Sequence, residues 1–143
     1  MHISTVIIDS NFILLPFQFK IDYLTEITQQ LGIKTEFFIF KQILNELEAK
    51  KKREGGKIKF RKQLEAGLLY LENFKDKFNL NFNNSLKRDN ETTDDFLLRK
   101  CIDLKKETRH LFLATNDSEL RKRAKNSGLN VIFMRQKKFL SFE

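Results

Sequence analysis

"VIIDSNFILL", residues 6–15, runs three apolar residues into an aspartate, continues with two small polar residues and returns to apolar ones. A short apolar run rich in β-branched residues predicts a buried strand. In an open α/β sheet, functional groups gather in the crevice beyond the carboxyl ends of the strands. Because Asp9 follows the predicted strand directly, we expect its carboxylate to project into such a crevice.

Strand-like and helix-like segments alternate along the rest of the chain. Strands are predicted at "STVIID" (4–9), "TEFFIF" (35–40), "FNLNF" (78–82), "HLFLAT" (110–115) and "NVIFM" (130–134). Apolar residues at three- and four-residue spacings predict helices at 21–32, 41–54, 58–76, 92–107 and 117–128. Gly32 and Gly128 are suited to helix ends, and Gly55 and Gly56 are expected to interrupt a helix.

This order predicts a three-layer α/β/α fold around a central, mainly parallel sheet of about five strands, because successive parallel strands need crossover helices. The chain has 143 residues and shows no linker or repeat, so we expect one domain over residues 1–143. Its single cysteine suits a reducing compartment. The N-terminus lacks a signal-peptide pattern and no apolar run is long enough to span a membrane, so a cytoplasmic protein without a membrane partner is expected.

Positive charge is concentrated in one segment. The chain carries a formal net charge of +8, and "KKKREGGKIKFRK", residues 50–62, holds eight basic residues and one acidic residue. Such a block is either a solvated helix face or a surface that binds a polyanion such as RNA. The basic side chains that we expect to contact a polyanion are Lys50, Lys51, Lys52, Arg53, Lys57, Lys59, Arg61 and Lys62, together with Arg121, Lys122 and Arg123 of "RKRAK".

Several carboxylates occupy comparable positions along the predicted elements. Asp117 follows the strand "HLFLAT" as Asp9 follows the first strand, while Asp94 and Asp95 begin a helix and Glu46 lies between two leucines of another. Each of these acids taken singly could be a helix cap or an exposed helix residue. Together they would repel one another strongly in one crevice, so that they would need to bind protons or a cation.

The residue types in this set favour a hard divalent cation. Carboxylate oxygens without histidine or cysteine select Mg²⁺ or Mn²⁺ over Zn²⁺. His2 is near the N-terminus, and His110 immediately precedes a strand, so neither is a strong candidate ligand. Cys101 falls on the apolar stripe of its helix, which predicts a core position rather than a nucleophile.

The motifs "IIDSN", "ILNELE", "TTDDFLL" and "LATNDSELRKRAKNSGLNVIFM" resemble, in this order, those of the PIN-domain family of metal-dependent ribonucleases. The last motif and the double aspartate resemble the branch of that family engaged in ribosomal RNA processing. The resemblance implies an acidic catalytic quartet and metal site, with Asp94 as a neighbouring ligand and Asp95 favoured over it because Phe96 and Leu97 follow it. The quartet is Asp9, Glu46, Asp95 and Asp117.

The same resemblance implies that Asn11 and Thr115 help to hold the acids or the metal-bound water. It further implies an Mg²⁺- or Mn²⁺-dependent endoribonuclease that acts on RNA, with pre-ribosomal RNA or a ribosomal particle as the expected partner. Ser10 departs from the family pattern, which usually has threonine there, and the long basic region after Glu46 differs from compact toxin members.

Alternative interpretations stay open at this point. One is a toxin ribonuclease of the VapC kind, which would be held inactive by a small antitoxin. Another is a noncatalytic RNA-binding scaffold whose acids serve as caps and ion pairs. A phosphatase or response-regulator domain is disfavoured because "NVIFMR" offers Arg135 where that chemistry needs a lysine.

Aromatic residues near basic ones leave a further ambiguity. Phe60 lies within the basic segment, and Phe139 and Phe142 lie in the tail "QKKFLSFE". They could stack on bases, and the tail could cover an apolar patch or form a homodimer contact.

Overall fold

The computed structural model describes residues 3–32, 34–53 and 57–143, and six strands in it form one sheet. In spatial order the sheet reads β3-β2-β1-β4-β5-β6. The strands pair in parallel except for β5 and β6, which are antiparallel. Their bounds are β1 Ser4–Ile8, β2 Glu36–Phe40, β3 Asn79–Asn83, β4 His110–Ala114, β5 Asn130–Arg135 and β6 Phe139–Phe142.

Helices flank the sheet, so the predicted three-layer α/β/α arrangement is confirmed. Glycine ends α3 at Gly32, and aspartate or threonine side chains cap α1, α3, α6 and α7 at their N-termini, as their positions in the sequence favour. The bounds are α1 Ser10–Ile13, α2 Leu15–Gln18, α3 Tyr23–Leu31, α4 Lys41–Arg53, α5 Ile58–Phe74, α6 Thr93–Lys105 and α7 Ser118–Asn126.

Strand β1 lies at the centre of the sheet and all its residues are buried. It pairs with β2 through Val6 opposite Phe37, and with β4 through Ile8 opposite Ala114. The backbone N–H of Asp9 donates to the Ala114 carbonyl at 3.0 Å, which continues the pairing one residue beyond β1. The carboxyl ends of β1 and β4 are therefore side by side, and the residues that follow them share one edge of the sheet.

The tail forms a sixth strand that the sequence analysis did not predict. Lys138 N–H donates to the Arg135 carbonyl at 3.0 Å, and the two residues between them, Gln136 and Lys137, have φ of 52° and 57°. Two central residues with positive φ are typical of a tight hairpin turn, which usually carries asparagine and glycine. Phe142 of this strand packs edge-on against Phe112 of β4.

Other features of the fold refine the sequence analysis. The short helices α1 and α2 after Asp9 were not predicted, and β3 ends at Asn83, one residue beyond the predicted strand. Phe60 packs into the core, so it offers no ring for stacking on a base. His2, Gly55 and Gly56, for which the sequence led to expectations, lie outside the residues that the structure describes. Among the described residues, no helix is both long enough and apolar enough to cross a bilayer.

Helix α5 packs very closely on the segment that follows Asp9. A Cβ atom built on Gly67 would lie 2.1 Å from the Ile13 backbone oxygen, far inside van der Waals contact. Glycine is therefore required where α5 approaches α1. This contact fixes the backbone that leads away from the carboxyl end of β1.

Candidate active site

Asp9 is almost fully buried and held by three groups. Its Oδ1 accepts a hydrogen bond from the Ser10 backbone N–H at 2.7 Å. Its Oδ2 accepts from the Thr115 hydroxyl at 2.7 Å and from Asn11 Nδ2 at 3.2 Å. Since Thr115 follows β4 while Ser10 and Asn11 follow β1, the carboxylate is positioned by two neighbouring strands.

Thr115 is the centre of a polar network that reaches the next acid. Its hydroxyl oxygen accepts from the Asp117 backbone N–H at 3.1 Å and from Asn11 Nδ2 at 3.3 Å. Asn11 in turn accepts from the Asn116 N–H at 3.0 Å, and the side chain of Asn116 accepts from the Met134 N–H at 2.8 Å. The network therefore ties the ends of β1, β4 and β5 together around Asp9.

Asp117 caps α7 while it faces the site. Its Oδ1 accepts from the Leu120 N–H at 2.8 Å, which satisfies one free amide of the helix N-terminus. The capping role that the sequence suggested as an alternative is thus real. It does not exclude a second role, because the carboxylate also lines the cavity that Asp9 faces.

Glu46 approaches the same cavity from α4, across the crevice from β1. The Thr93 hydroxyl, in the first turn of α6, donates to Glu46 Oε1. Glu46 Oε2 is buried and has no hydrogen-bond partner. A buried carboxylate oxygen that lacks a donor is costly unless a cation or a proton satisfies it.

The two acids of the double aspartate face different surroundings. Asp94 lines the cavity, together with Glu46 and Asp117. Asp95 is half-exposed and pairs with Arg123, whose Nη2 lies 2.6 Å from Asp95 Oδ1. The resemblance favoured Asp95 as the metal ligand, whereas the placement of the two side chains favours Asp94.

The cavity has a volume of about 230 Å³ and lies at the carboxyl ends of the parallel strands. Four acids line it, and the other lining residues include Ile43 and Thr93; the full set is Asp9, Ser10, Asn11, Ile43, Glu46, Thr93, Asp94 and Asp117. The structure therefore brings together the predicted residues Asp9, Glu46, Asp94 and Asp117, with Asn11 and Thr115 supporting them. Asp95 is the predicted acid that it leaves outside.

Burial and repulsion between carboxylates raise the pKa of two acids in this cavity, Asp9 and Asp94. Burial raises the pKa of Asp9 above its ordinary value, hydrogen bonds from Thr115 and Ser10 oppose that shift, and the charges of Asp94 and Asp117 add to it. Burial, and then the nearby Asp117, raise the pKa of Asp94. Outside the cavity the hydrogen bond from Arg123 lowers the pKa of Asp95. A positive charge in the cavity would offset the repulsion between its acids.

The donor set fits a hydrated divalent cation. Within the described residues, no three acidic, histidine or cysteine side chains are grouped closely enough to hold a metal ion directly. Mg²⁺ usually keeps several of its waters and contacts one or two carboxylates, so a cavity lined by separated carboxylates suits it. The unpartnered oxygen of Glu46 provides one free acceptor for such an ion.

The basic residues predicted to contact RNA fall into two groups. Lys52, Arg53, Lys57, Lys59, Arg61 and Lys62 are exposed at the end of α4 and the start of α5. Lys50 and Lys51 are partly buried, and Lys50 lies over the Phe60 ring at 4.7 Å. Four basic side chains in the last turn of α4 also complement the helix dipole.

In α7 the three predicted basic residues differ from one another. The Arg121 guanidinium stacks 4.0 Å from the Phe133 ring centre, and its Nε is buried without a hydrogen-bond partner. Arg123 is engaged with Asp95. Lys122 is exposed. Arg121 therefore packs on the sheet, and Lys122 is the member of this group that is most accessible to a ligand.

Two other sequence interpretations can be compared with the structure. Cys101 is fully buried, and burial raises the pKa of its thiol, so its assignment to the core is confirmed. His110 is exposed and lines a separate cavity of about 400 Å³, which lies at the amino ends of the parallel strands.

Sequence reasoning missed Thr93 and Asn116 as parts of the site. Thr92 caps α6, and its hydroxyl accepts from the Asp95 N–H at 3.1 Å. A second threonine next to a cap was the available signal for Thr93. Asn116 lies between two residues already singled out, so its neighbours indicated it.

Comparison with known proteins gives a consistent picture. The profile of a family described as a PIN-like domain matches residues 6–137. Ribonuclease VapC4 of Methanocaldococcus jannaschii is 27% identical over 134 residues, which are 94% of this chain and 92% of VapC4.

Solved structures agree with the family match. The structure of the PIN domain endonuclease Utp24 is similar with a TM-score of 0.68 and 25% identity, over 97% of this chain and 90% of that one. A domain of a functionally unknown protein from Methanocaldococcus jannaschii is similar with a TM-score of 0.65 and 14% identity, over 92% of this chain and 91% of that one, which shows a shared fold.

Proposed function

The chain belongs to the PIN-like domain family, and from this premise we propose that it is a metal-dependent endoribonuclease that hydrolyses RNA phosphodiester bonds. The observation that carries the proposal is the cavity at the carboxyl edge of the sheet, which four acids from four elements line. If these acids served only as helix caps and ion pairs, the buried Glu46 Oε2 would not be expected to lack a hydrogen-bond partner. This favours the enzyme over a noncatalytic scaffold.

We assign hydrated Mg²⁺ or Mn²⁺ to this cavity, which would contact one or two carboxylates directly and the others through its water ligands; the candidates are Asp9, Glu46, Asp94 and Asp117. When bound, such a cation supplies charge stabilisation for the phosphoryl group and lowers the pKa of a coordinated water. Asn11 and Thr115 keep Asp9 in one orientation. The Thr93 hydroxyl donates to Glu46 Oε1, which leaves Oε2 as the oxygen that could contact a cation.

The cavity is acidic and repels a polyanion, so basic side chains outside the cavity have to bind the RNA. The exposed side chains at the end of α4 and the start of α5 meet that need, since contacts to phosphate provide affinity without reading bases. We propose that this guide surface consists of Lys52, Arg53, Lys57, Lys59, Arg61 and Lys62, with the exposed Lys122 of α7 as a further contact.

For the biological role, we propose the processing of ribosomal RNA. The support is the resemblance of "LATNDSELRKRAKNSGLNVIFM" and "TTDDFLL" to the branch with that role, and the likeness to the endonuclease Utp24 over 97% of this chain. The expected partner is pre-ribosomal RNA or a ribosomal particle in the cytoplasm.

A toxin ribonuclease is the second candidate because the chain is 27% identical to Ribonuclease VapC4. In that case a small antitoxin would be its partner. Expression of the chain alone in a bacterial host distinguishes the two roles. Growth arrest that Asp9→Asn relieves would favour the toxin, and unaffected growth with cleavage of pre-ribosomal RNA would favour processing.

The first experiment tests the chemistry. Purified protein is incubated with labelled structured and single-stranded RNA in Mg²⁺, in Mn²⁺ and in EDTA, beside folded Asp9→Asn. We expect cleavage that requires the metal and is lost in the variant. Cleavage that EDTA does not reduce, or that Asp9→Asn retains in full, would contradict the proposal.

The second experiment decides between the adjacent acids. Asp94→Asn and Asp95→Asn are compared with Asp103→Asn, an exposed position on the same helix. We expect Asp94→Asn to lose at least tenfold more activity than Asp95→Asn, because Asp94 faces the cavity. The opposite order would restore Asp95 as the ligand that the resemblance favoured.

The third experiment tests the guide surface. Lys52→Gln with Arg53→Gln is compared with Lys106→Gln and Lys138→Gln, a matched pair of exposed lysines elsewhere. Each lost phosphate contact lowers the slope of log K against log salt by about 0.7 for a single strand. We expect the first pair to lower it by about 1.4, while equal effects of both pairs would contradict a localised surface.

A further inference from the structure

One face of the β5–β6 hairpin carries arginine and phenylalanine side chains next to α7. Arg135 lies opposite Phe139 in the antiparallel pair, and directly opposite residues point to the same face. Phe133 also points to this face, because side chains alternate along a strand. The Arg121 guanidinium lies 4.0 Å from the centre of the Phe133 ring, and the Arg135 guanidinium lies 5.7 Å from it. These side chains of α7, β5 and β6 therefore form one surface, the hairpin surface.

The two arginines of the hairpin surface keep hydrogen-bond donors free. Arg121 is partly exposed, is in no ion pair among the described residues, and has a buried Nε without a hydrogen-bond partner. Arg135 Nη2 lies 3.7 Å from Glu143 Oε1, beyond hydrogen-bond distance, and the Arg135 side chain is 55% exposed. A guanidinium that stacks on an aromatic ring still presents N–H groups in its own plane, which is the geometry that phosphate oxygens accept.

Phe139 adds an exposed aromatic ring to the same surface. It is 42% exposed, whereas Phe142 of the same strand packs on Phe112. Exposed aromatic rings beside basic groups bind single-stranded nucleic acid, because every base has a face that can stack. Of the two phenylalanines in the tail, Phe139 is therefore the one whose ring is available to a base.

The hairpin surface adjoins the acidic cavity. The Met134 N–H, immediately before the arginine of β5, donates to Asn116 Oδ1 at 2.8 Å. The Asn116 N–H donates to Asn11 Oδ1 at 3.0 Å, and Asn11 lines the cavity. In α7, Arg121 lies about one helical turn after Asp117, the cavity acid that caps this helix. A strand of RNA that leaves the cavity towards β5 therefore meets this surface next.

We propose that the hairpin surface is a subsite for single-stranded RNA, in which Arg121 and Arg135 bind phosphates and Phe139 stacks on a base. This inference rests on the proposed function, because it assigns a path to the RNA that enters the cavity. The guide surface begins at α4, which packs on β2, whereas β5 and β6 lie on the other side of β1. The two basic surfaces thus hold one strand on both sides of the cavity.

Single-stranded RNA is the occupant that the chemistry of the hairpin surface favours. In a duplex the bases are stacked on one another and offer no free face to Phe139, whereas an unpaired base can turn its face to the ring. The guanidinium groups require an anionic partner, and the sugar–phosphate backbone places one beside every base.

The stacking contact is tested by RNA binding in EDTA, so that no cleavage occurs. Fluorescence anisotropy compares an unstructured RNA oligonucleotide with an analogue of the same length and charge that carries no bases. We expect Phe139→Ala to weaken binding of the RNA by about fivefold or more and to leave binding of the abasic analogue unchanged. Phe82→Ala, which replaces a similarly exposed ring at the opposite edge of the sheet, should change neither.

The phosphate contacts are tested by the salt dependence of the same binding. Arg121→Gln and Arg135→Gln should each lower the slope of log K against log salt by about 0.7, the value for one lost contact to a single strand. Arg135 is exposed, so its variant should fold even if loss of the stack on Phe133 destabilises the Arg121 variant. Arg109→Gln, at an exposed arginine just before β4, is the matched control and should keep the slope of the unmodified chain.

The two measurements can each overturn the proposal. If Phe139→Ala weakens the RNA and the abasic analogue equally, the ring does not stack on a base. If Arg135→Gln keeps the full slope, the surface does not bind phosphate, and if no variant has any effect, the face serves a partner other than RNA. Failure of the proposed function is distinguishable from these outcomes, because it appears as the absence of metal-dependent cleavage by a chain that still binds RNA through Phe139.

Discussion

Replacement of Thr115 by valine tests the polar network under the candidate active site. Thr115 is fully buried, and its hydroxyl donates to Asp9 Oδ2 at 2.7 Å while it accepts from the Asp117 N–H at 3.1 Å. Valine keeps nearly the same shape and removes both contacts, and with them the longer hydrogen bond from Asn11 Nδ2 at 3.3 Å. The substitution therefore isolates the hydroxyl from packing.

The expected loss follows from these two contacts. A hydrogen bond to a charged group contributes about 1.5 to 3 kcal/mol, and a buried donor left without a partner costs about 1 to 3 kcal/mol. Asn11 Nδ2 still donates to Asp9 Oδ2 at 3.2 Å, which keeps part of the first contribution. We expect Thr115→Val to lower the free energy of unfolding by about 2 to 4 kcal/mol.

The assay is urea unfolding followed by circular dichroism, with Thr115→Ser as the control. Serine keeps the hydroxyl and loses one methyl group, which costs about 1 kcal/mol in a core. An unchanged m-value shows that the same surface is exposed on unfolding. A valine variant within about 0.5 kcal/mol of the unmodified chain, or a serine variant less stable than the valine one, would refute the reasoning.

Three further predictions concern the scaffold. Alanine normally stabilises a helix relative to glycine by about 0.5 to 1 kcal/mol, but Gly67→Ala should lower the free energy of unfolding in urea by about 1 to 3 kcal/mol, because its Cβ would meet the Ile13 backbone oxygen. Ala66→Gly is the matched control, and a Gly67→Ala variant more stable than the unmodified chain would contradict this close contact. The Arg99 hydrogen bond lowers the pKa of Glu91 from 4.5 to about 2, so the pair stabilises the fold above pH 4.5 and this contribution is lost as the pH falls through about 2. Glu91→Gln should therefore lower the thermal midpoint at pH 7, and the difference from the unmodified chain should shrink between pH 4.5 and pH 2. A difference that stays constant over this range would argue against the pair. The Tyr70 hydroxyl donates to Asp22 and accepts from the Leu24 N–H at 2.9 Å. Tyr70→Phe should therefore speed hydrogen exchange at the Leu24 amide. An unchanged exchange rate at this amide would show that α5 does not stabilise the start of α3.

Much of the fold was predictable from local patterns. The five parallel strands are short apolar or alternating runs, and the longer helices carry apolar stripes, because each element has to bury one face or both. The position of Asp9 at the end of β1 follows from the same pattern. An acid directly after a buried strand is placed at the carboxyl edge of a parallel sheet whatever the rest of the chain does.

Local patterns could not reveal the sixth strand. Its hairpin turn has Gln136 and Lys137 at positive φ, where asparagine and glycine are the usual signal. What stabilises that turn is the pairing of β6 with β5 and the packing of Phe142 on Phe112. Such contacts are decided by residues distant in sequence.

Motifs along the chain indicate which acidic residues are able to form the site, and packing between distant segments determines which of them face it. Asp94 and Asp95 both begin α6, but successive helical residues differ by about 100° in direction, so one lines the cavity while the other meets Arg123. The rotation of α6 about its axis depends on its packing against β4, and the position of Glu46 depends on α4. Because these contacts join segments far apart along the chain, no local pattern contains them.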